Sequence, residues 1–371
     1  MFKKTLALTL AVSMMAAAML TGCSSATTTT TATTAAGATT AAGATTAAGA
    51  TTTAAATTTA AGATTAAAGK NYKIVIMPKL IGVPYFNRSE EGALQAGKDL
   101  GVTVIYNGPS VGDAAQQVQM IEDYITQGVD AICVAPNDAA ALTPVLQKAT
   151  DAGIVVLDWD TPAEKDVVSL SVHQIDDQAL AEMYYDQLVK LAGTDTGNYA
   201  IITGGLAAAN LNTWIDEGLA YAKEKYPNLK LVTEKIGTDE SADIAYQKTL
   251  DLIKTYPDII GILGYSTPAP IGAAKAIQEK GLQDKIVVVG TAMPTDSAPY
   301  LKDGSMDAAL LWDPGTLGYL TIALAKDVLD GVAVTDGMDV PNVGKIAVSG
   351  KDVVMGPPTI FTKDNVADYP F

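Results

Sequence analysis

Short apolar runs recur along most of this chain at nearly constant spacing, and this pattern constrains the fold more than any other feature. In the first half of the chain the runs begin roughly 25 to 30 residues apart, and amphipathic stretches of helical length separate them. That spacing is typical of β-strand–α-helix–β-strand units. Because the runs are apolar almost throughout, they predict parallel strands covered by helices on both faces. The first series comprises residues 73–79, 102–107, 131–136 and 154–160.

A second series of apolar runs follows and predicts a second sheet. Roughly 300 residues follow the low-complexity N-terminal part of the chain, which is enough for two lobes. The sequence therefore predicts an α/β protein with two doubly wound parallel-sheet lobes joined by a multi-crossing hinge. The runs of the second series are residues 199–203, 229–234, 259–264, 286–290 and 306–312.

The lobes are expected to exchange segments of the chain. Residues 72–172 plus 293–331 are predicted to form lobe 1, and residues 173–292 plus 332–371 lobe 2. We expect the lobes to close on a ligand about crossings near the positions His173, Met293 and Gly331. Helices are expected to begin at Asp113, at Asp138 and, from the capping-box spacing of Asn87 and Glu90, near Ser89.

Polar side chains follow several predicted strands. Residues 155–162, "VVLDWDTP", end an apolar run with Asp158, Trp159 and Asp160. Alternation along a strand places the two carboxylates on one side and the indole on the other. Ligands of open parallel sheets bind outside the carboxyl ends of the strands, so a site is expected there. The same reasoning selects Lys79, Asn107, Asn137, Thr203 and Asp313.

A cleft that contains Lys79, Asp160 and Asp313 is suited to a neutral polyol. Carboxylates accept hydrogen bonds from hydroxyl groups, and an ammonium group donates to hydroxyl oxygens. Aromatic side chains in the cleft would cover the apolar face of a sugar ring. Core packing is the alternative for each aromatic residue, and a helix cap or an interlobe salt bridge is the alternative for Asp160. The candidate aromatic residues are Tyr85, Phe86, Trp159, Trp214 and Trp312.

Charge and motif content disfavour other functions. A net charge of −16 argues against binding nucleic acid or anionic lipid through charge. His173 is the only histidine, and no nucleophile motif lies near it in the sequence. There is no metal-ligand cluster, and the "TGG" of residues 203–205 lacks the lysine and spacing of a phosphate loop. We expect no catalysis, metal or cofactor; a glycoside-acting enzyme with two carboxylates is the alternative from another class.

The N-terminal segment has the pattern of a bacterial lipoprotein. Lys3 and Lys4 precede an apolar run over residues 6–20, and the tetrapeptide ending at Cys23 resembles a lipobox. Residues 1–22 are predicted to be a signal peptide and Cys23 to carry lipid; an ordinary secretory signal is the alternative. Residues 24–69 are almost entirely Thr, Ala and Gly, which cannot form a core, so residues 23–69 are predicted to tether the protein outside the cell membrane.

Four blocks of the folded region carry a resemblance to a known family. They are "PKLIGVPYFNRSEEGALQAGKDLGV", "VLDWDTP", "LLWDPGTLGY" and "IFTKDNVADYPF". In order and spacing they resemble the solute-binding proteins of autoinducer-2 importers and the related rhamnose-type sugar receptors, over residues 72–371. The resemblance implies a type I periplasmic binding protein, a ligand between the lobes and delivery to the permease subunits of an ABC importer. We expect a monomer.

The resemblance also implies site residues. Of six family positions that contact autoinducer-2, the lysine falls on Lys79 and the aspartate after tryptophan on Asp160. At the positions where the family has an acidic residue and a glutamine, this chain has Asn210 and Leu211. At the positions of the family's proline and alanine it has Tyr265 and Thr267. A small hydroxyl-rich ligand is implied, autoinducer-2 first and a rhamnose- or pentose-type sugar second.

Together, these arguments assign roles to individual side chains. Asp160 is expected to be a principal ligand contact with Lys79 as its partner across the cleft. Asp158 is expected to lie deeper with a structural role, and Trp159 to hold the strand end. The predicted ligand contacts are Lys79, Phe86, Trp159, Asp160, Asn210, Leu211, Tyr265, Thr267 and Asp313.

Overall fold

The computed structural model describes residues 70–371. The predictions for the signal peptide, for Cys23 and for the tether therefore lie outside the described residues. Within the described part, no helix is both long enough and apolar enough to cross a membrane.

The described residues form strands and helices in alternation, as the apolar pattern predicts. The strands are β1 (Lys73–Met77), β2 (Thr103–Tyr106), β3 (Ala131–Val134), β4 (Val155–Trp159), β5 (Leu170–His173), β6 (Gly197–Thr203), β7 (Leu229–Leu231), β8 (Ile236–Gly237), β9 (Ile259–Gly264), β10 (Val287–Thr291), β11 (Ala308–Leu311), β12 (Asp339–Val340), β13 (Gly344–Lys345), β14 (Ala347–Ser349), β15 (Asp352–Val354) and β16 (Thr359–Phe361). The helices are α1 (Pro84–Leu100), α2 (Ala114–Gln127), α3 (Ala139–Asp151), α4 (Asp177–Ala192), α5 (Ala209–Lys225), α6 (Ala242–Thr255), α7 (Pro268–Lys280), α8 (Pro294–Asp303) and α9 (Pro314–Leu329).

Two sheets define the two lobes. The sheet of lobe 1 has the order β14–β15–β5–β4–β3–β1–β2 and is parallel except for β14. The sheet of lobe 2 has the order β16–β11–β10–β9–β6–β7, with β8 also paired to β6, and is parallel except for β16. The predicted fold class, two doubly wound parallel-sheet lobes, is confirmed.

Helices cover both faces of the sheets. In β1 the four residues from Ile74 to Met77 are completely buried, which requires cover on both sides because their side chains alternate. In lobe 1, α1 packs against α9, while α2 and α3 pack against each other. The α1–α9 contact is close: a Cβ on Gly92 would lie 1.8 Å from the carbonyl oxygen of Gly315. Glycine therefore permits the approach of the two helices whose N-termini border the cavity described below.

Two predicted helix starts are confirmed and one is wrong. Asp113 accepts hydrogen bonds from the amides of Ala115 and Gln116, and Asp138 accepts one from the amide of Ala141. The helix expected near Ser89 begins instead at Pro84. Proline at the first helical position loses no intrahelical hydrogen bond and has its φ already set, so α1 starts a turn earlier than the capping-box pattern indicates.

Within residues 70–371 the chain crosses between the lobes at three places. The first lies between β5 and α4, next to His173 as predicted. The second joins β11 to α9 at Trp312 and Asp313, and the third joins β15 to β16 through residues 355–358. The crossings predicted near Met293 and Gly331 are wrong. Met293 directly precedes α8, which packs on β11, so the chain remains in lobe 2 there. Gly331 follows α9, which packs on the strands of lobe 1, and the chain then continues to β15 in the same lobe.

The segment boundaries of the lobes need the same correction. The predicted boundaries assigned residues 306–312 to lobe 1, but β11 pairs in parallel with β10 in lobe 2. They assigned residues 332–371 to lobe 2, but β15 pairs in parallel with β5 in lobe 1. The unit β10–α8–β11 remains in one sheet because a short crossover helix returns the chain to a neighbouring strand of the same sheet.

Candidate functional site

A cavity lies between the two lobes, where the carboxyl ends of both sets of strands meet. Its empty volume, part of which is open to solvent, is about 380 Å³, which suits a small molecule. From lobe 1 it is lined by Lys79, Val83, Tyr85, Phe86 and Asp160. From lobe 2 and the second crossing it is lined by Asn210, Leu211, Trp214, Glu240, Ser266, Thr267, Thr291, Leu311 and Trp312.

A buried ion pair occupies the lobe 1 side of the cavity. Lys79 Nζ lies 3.2 Å from Asp160 Oδ2, and both side chains are at least nine-tenths buried. The other carboxylate oxygen accepts a hydrogen bond from Tyr85 Oη at 2.7 Å, and Tyr85 in turn accepts one from Trp312 Nε1 at 3.1 Å. Both residues of the pair extend from the sheet of lobe 1, after β1 and β4, so the prediction that Lys79 lies across the cleft from Asp160 is wrong.

The residue across the cleft from the pair is Asn210, at the start of α5 in lobe 2. Its amide oxygen accepts a hydrogen bond from Lys79 Nζ at 3.2 Å. Thr161 Oγ1 lies 2.9 Å from the same oxygen and 3.0 Å from Asp160 Oδ2. Because an ammonium group only donates, the oxygen of Asn210 must face Lys79. These contacts link the lobes directly through the cavity.

Asp160 has an unusual backbone conformation. Its φ of 62° lies in the left-handed region, where residues other than glycine are uncommon, although aspartate is tolerated better than most. The chain turns there from β4 into a bridge between Trp159 and Thr161. This turn aims the carboxylate into the cavity instead of continuing the alternation of β4. Residues held in such conformations cluster at ligand-binding positions.

Aromatic rings close the cavity on several sides. Tyr85, Phe86, Trp214 and Trp312 all line it. Trp214 and Trp312 meet with ring centroids 6.0 Å apart, and Tyr85 meets Trp312 edge to face at 6.1 Å. Because α5 carries Trp214 and the second crossing carries Trp312, the rings form an apolar wall that both lobes share.

Lobe 2 adds a polar wall that the sequence arguments missed. Glu240 lies between β8 and α6, with Ser266 after β9 and Thr291 at the end of β10. Desolvation raises the pKa of Glu240, and the nearby Lys79 charge opposes part of that effect. Strand-end logic could have found Ser266 and Thr291. Glu240 follows a strand of only two residues, which leaves no recognisable apolar run.

Asp158 lies beneath the cavity and does not line it. Its oxygens accept hydrogen bonds from Ser171 Oγ at 2.5 Å and from the backbone amide of Ala163 at 2.8 Å. Desolvation raises its pKa to about 7, against the lowering effect of these two bonds. The structure thus places Asp158 deeper than Asp160 and bound to a loop amide, as the sequence analysis expected.

Three of the nine predicted ligand contacts do not line the cavity. Trp159 packs behind Phe86 with centroids 5.9 Å apart, and its indole donates to the carbonyl of Met77. Asp313 uses both oxygens in an ion pair with Arg88 and also caps α9. Tyr265 is fully buried and stacks on Tyr184 at 4.1 Å. Lys79, Phe86, Asp160, Asn210, Leu211 and Thr267 are the predicted contacts that line the cavity.

The environment of Asp158 makes a prediction about pH and stability. Its folded-state pKa of about 7 is above the value of about 4 expected for an unfolded chain, so the folded state holds this proton more tightly. The resulting stabilisation is complete below about pH 4 and is lost as the pH rises to about 7. Asp158→Asn removes this titration and can still bond both Ala163 and Ser171. The loss of melting temperature between pH 5 and pH 8 should therefore be smaller in the variant than in the wild type.

Asp166→Asn is a matched control, since Asp166 is an exposed carboxylate in the following loop. It should leave the pH profile of the melting temperature unchanged. His173 and Asp352, which lie near Asp158, are present in both proteins. If the melting temperatures of wild type and Asp158→Asn fell equally between pH 5 and pH 8, Asp158 would not be the group responsible for that loss of stability.

Known proteins match both the sequence and the fold. A family model described as "Periplasmic binding protein domain" matches residues 74–333. The structure of LsrB from Clostridium saccharobutylicum in complex with AI-2 is 29% identical with a TM-score of 0.76, and the match covers 81% of this chain and 100% of that one. An ABC transporter solute-binding protein from Clostridium phytofermentas with bound L-rhamnose is 28% identical with a TM-score of 0.77, covering 81% of this chain and 98% of that one.

A curated relative of known sequence also matches this chain. The ribose import binding protein RbsB of Bacillus subtilis (strain 168) is 25% identical over 279 residues, which are 73% of this chain and 86% of that protein. The resemblance predicted from the four sequence blocks is confirmed. Since the family model spans well over half of the sequence and the two-lobed fold agrees with it, the chain belongs to the periplasmic binding protein domain family.

Proposed function

We propose that this protein is the solute-binding component of an ABC importer and that it captures one small cyclic polyol between its lobes. The observation that carries the proposal is the polar bridge through the cavity, in which Lys79 of lobe 1 donates to Asn210 of lobe 2. Donors and acceptors from both lobes thus converge on one enclosed space. The relatives support the ligand class, since two of them are solved with bound AI-2 and L-rhamnose and the third is a ribose import binding protein.

The chemistry of the cavity suits a neutral ligand rich in hydroxyl groups. Each hydroxyl group both donates and accepts a hydrogen bond, so it can bond to the Asp160 carboxylate and to the Lys79 ammonium at once. The ion pair keeps the two charges close together, and therefore the site does not require a charged ligand to balance either one. The rings of Phe86, Trp214 and Trp312 would cover the apolar face of a sugar ring.

Autoinducer-2 is our first candidate ligand, and a rhamnose- or pentose-type sugar is the second. The sequence blocks favour autoinducer-2, and Lys79 and Asp160 both line the cavity. The altered lining favours the second candidate, because Leu211 is apolar and Tyr265 is buried away from the cavity. The two solved relatives are equally similar to this chain and do not separate the candidates.

The rest of the proposal follows the expected import cycle. Closure of the lobes about the three crossings would present a joint surface to the permease subunits. We propose that the protein acts as a monomer outside the cytoplasm, with lipid on Cys23 and residues 24–69 as its tether. Its only attachment to the membrane would be that lipid, and it would need no cofactor, metal or nucleic acid.

A glycoside-acting enzyme is the alternative from another class. It would need two carboxylates at the cavity, and Asp160 and Glu240 both line it. Both oxygens of Asp160 already lie within hydrogen-bond distance of donors, namely Tyr85 and Thr161. A carboxylate with hydrogen-bond donors at both oxygens is better suited to accept hydrogen bonds from a bound ligand than to act as a nucleophile, which must approach a sugar carbon. We therefore favour the receptor function.

Calorimetric titration of the purified protein tests the proposal. The panel is autoinducer-2, L-rhamnose, D-ribose, D-arabinose and xylitol, and we expect one-to-one binding of at least one of them. The same protein is assayed for hydrolysis of a series of p-nitrophenyl glycosides, and we expect no turnover. No binding to any of the panel, together with hydrolysis of a glycoside, would establish the alternative.

Asp160→Asn should weaken binding of the tightest ligand by roughly ten- to a hundredfold or more, because hydroxyl donors lose a charged acceptor in a buried site. Asparagine tolerates the left-handed conformation at this position, so the fold should be kept, while the uncompensated charge of Lys79 should lower the melting temperature. Asp113→Asn is the matched control: it makes the same change at the half-buried cap of α2, outside the cavity, where asparagine caps equally well. Equal affinity of Asp160→Asn and wild type would remove Asp160 from the binding site.

A further inference from the structure

Glu240 is a charged residue of the cavity to which neither the strand-end pattern nor the family positions assign a role. No cation lies within 4 Å of its carboxylate among residues 70–371, and its one hydrogen-bond contact there is the backbone amide of Gly205, at 3.4 Å from Oε1. Lys79, the ammonium group of this cavity, is already paired with Asp160. The cavity therefore holds two carboxylates and one cation, and Glu240 has no charged partner.

The surrounding backbone is shaped to hold this carboxylate. A Cβ on Gly204 would lie 2.1 Å from Glu240 Oε1 and 2.5 Å from its Cδ, so a larger residue there would require the carboxylate to move from this position. Asp239 and Glu240 both have left-handed backbone conformations, with φ of 51° and 57°. Two consecutive residues of this kind are costly and persist where the surrounding structure enforces them, which is common at ligand-binding loops.

Two hydroxyl groups next to the cavity add an independent observation. Thr291 Oγ1 is buried and has no hydrogen-bond partner in the described part of the chain, and Ser266 Oγ is buried, makes no hydrogen bond of normal geometry there, and lies close enough to the Glu240 carboxylate to lower its pKa. Ser266 is 7% exposed and Thr291 is 2% exposed, and both line the cavity. Buried polar groups normally find partners, so two incompletely bonded hydroxyl groups beside a carboxylate without a salt-bridge partner indicate that a ligand completes this wall.

We propose that Glu240 is a specificity-determining ligand contact and that the ligand presents hydroxyl donors to it. The inference rests on the proposed function and extends it to the lobe 2 side of the cavity. The carboxylate oxygens accept hydrogen bonds, so they select ring hydroxyl groups on that side of the ligand and oppose anionic groups. Ser266 and Thr291 each donate and accept, so they hold the neighbouring hydroxyl groups of the ligand without adding charge.

The test compares wild type, Glu240→Gln and a matched control, Glu224→Gln, in which an exposed carboxylate of α5 is changed in the same way. Calorimetry with autoinducer-2, L-rhamnose and D-ribose gives the affinities. We expect Glu240→Gln to bind the tightest of these at least about tenfold more weakly, because an amide offers that ligand one acceptor in place of two. The control should bind like wild type.

The melting temperature without ligand gives a second reading that does not depend on knowing the ligand. Glutamine removes an unpaired, desolvated charge, so Glu240→Gln should melt at the same temperature as wild type or higher. A lower melting temperature would show that Glu240 stabilises the fold, and would overturn the proposal. Unchanged affinity in Glu240→Gln would also overturn the proposal for Glu240, but it would leave the receptor function intact. Failure of the wild-type protein to bind any polyol would instead refute the receptor function itself.

Discussion

The buried ion pair between Lys79 and Asp160 is the interaction on which the rest of the site depends. Removing two charges from water costs several kcal/mol per ion, and their mutual attraction offsets this only when the remaining hydrogen-bonding capacity is also satisfied. Tyr85, Thr161 and Asn210 supply those contacts, and Trp312 fixes the hydroxyl of Tyr85. Each of these neighbours is therefore constrained by the presence of the pair, which makes the lobe 1 side of the cavity a rigid surface.

The same pair connects the binding site to the motion of the lobes. Two of its neighbours, Tyr85 and Thr161, belong to lobe 1 and would stay with it if the lobes separated. Asn210 belongs to lobe 2, so its hydrogen bond from Lys79 can form only when the cleft is closed. In an open form, water would have to replace Asn210, and a ligand hydroxyl group could take the same place. Recognition and closure would then involve the same atoms.

The sequence predicted the parts of this arrangement that follow from local periodicity. Apolar spacing identified both sheets, and strand-end logic selected Lys79 and Asp160. Prediction from the sequence failed where a side chain's role depends on contacts with residues distant in sequence. Asp313 has the right position after a strand, but Arg88, far away in sequence, uses both of its oxygens. Two of the crossings were misplaced because strand pairing, which joins β15 to β5, depends on residues separated by about half of the chain.

Backbone conformation accounts for the other differences. Alternation along β4 predicts the directions of Asp158 and Trp159 correctly, yet it cannot foresee the left-handed turn that aims Asp160 into the cavity. Glu240 escaped prediction for a related reason. Its position depends on a turn with two left-handed residues and on a glycine in another loop that leaves room for its carboxylate. Neither feature has a period that can be read along the sequence.

The most direct test of the account is a crystal structure of the protein with its tightest-binding polyol. The account predicts one ligand molecule in the cavity between the lobes, with hydroxyl groups within hydrogen-bond distance of Lys79 and Asp160 from lobe 1 and of Asn210 from lobe 2. A ligand bound elsewhere, or one that contacts a single lobe and leaves the Lys79–Asp160 pair untouched, would contradict it.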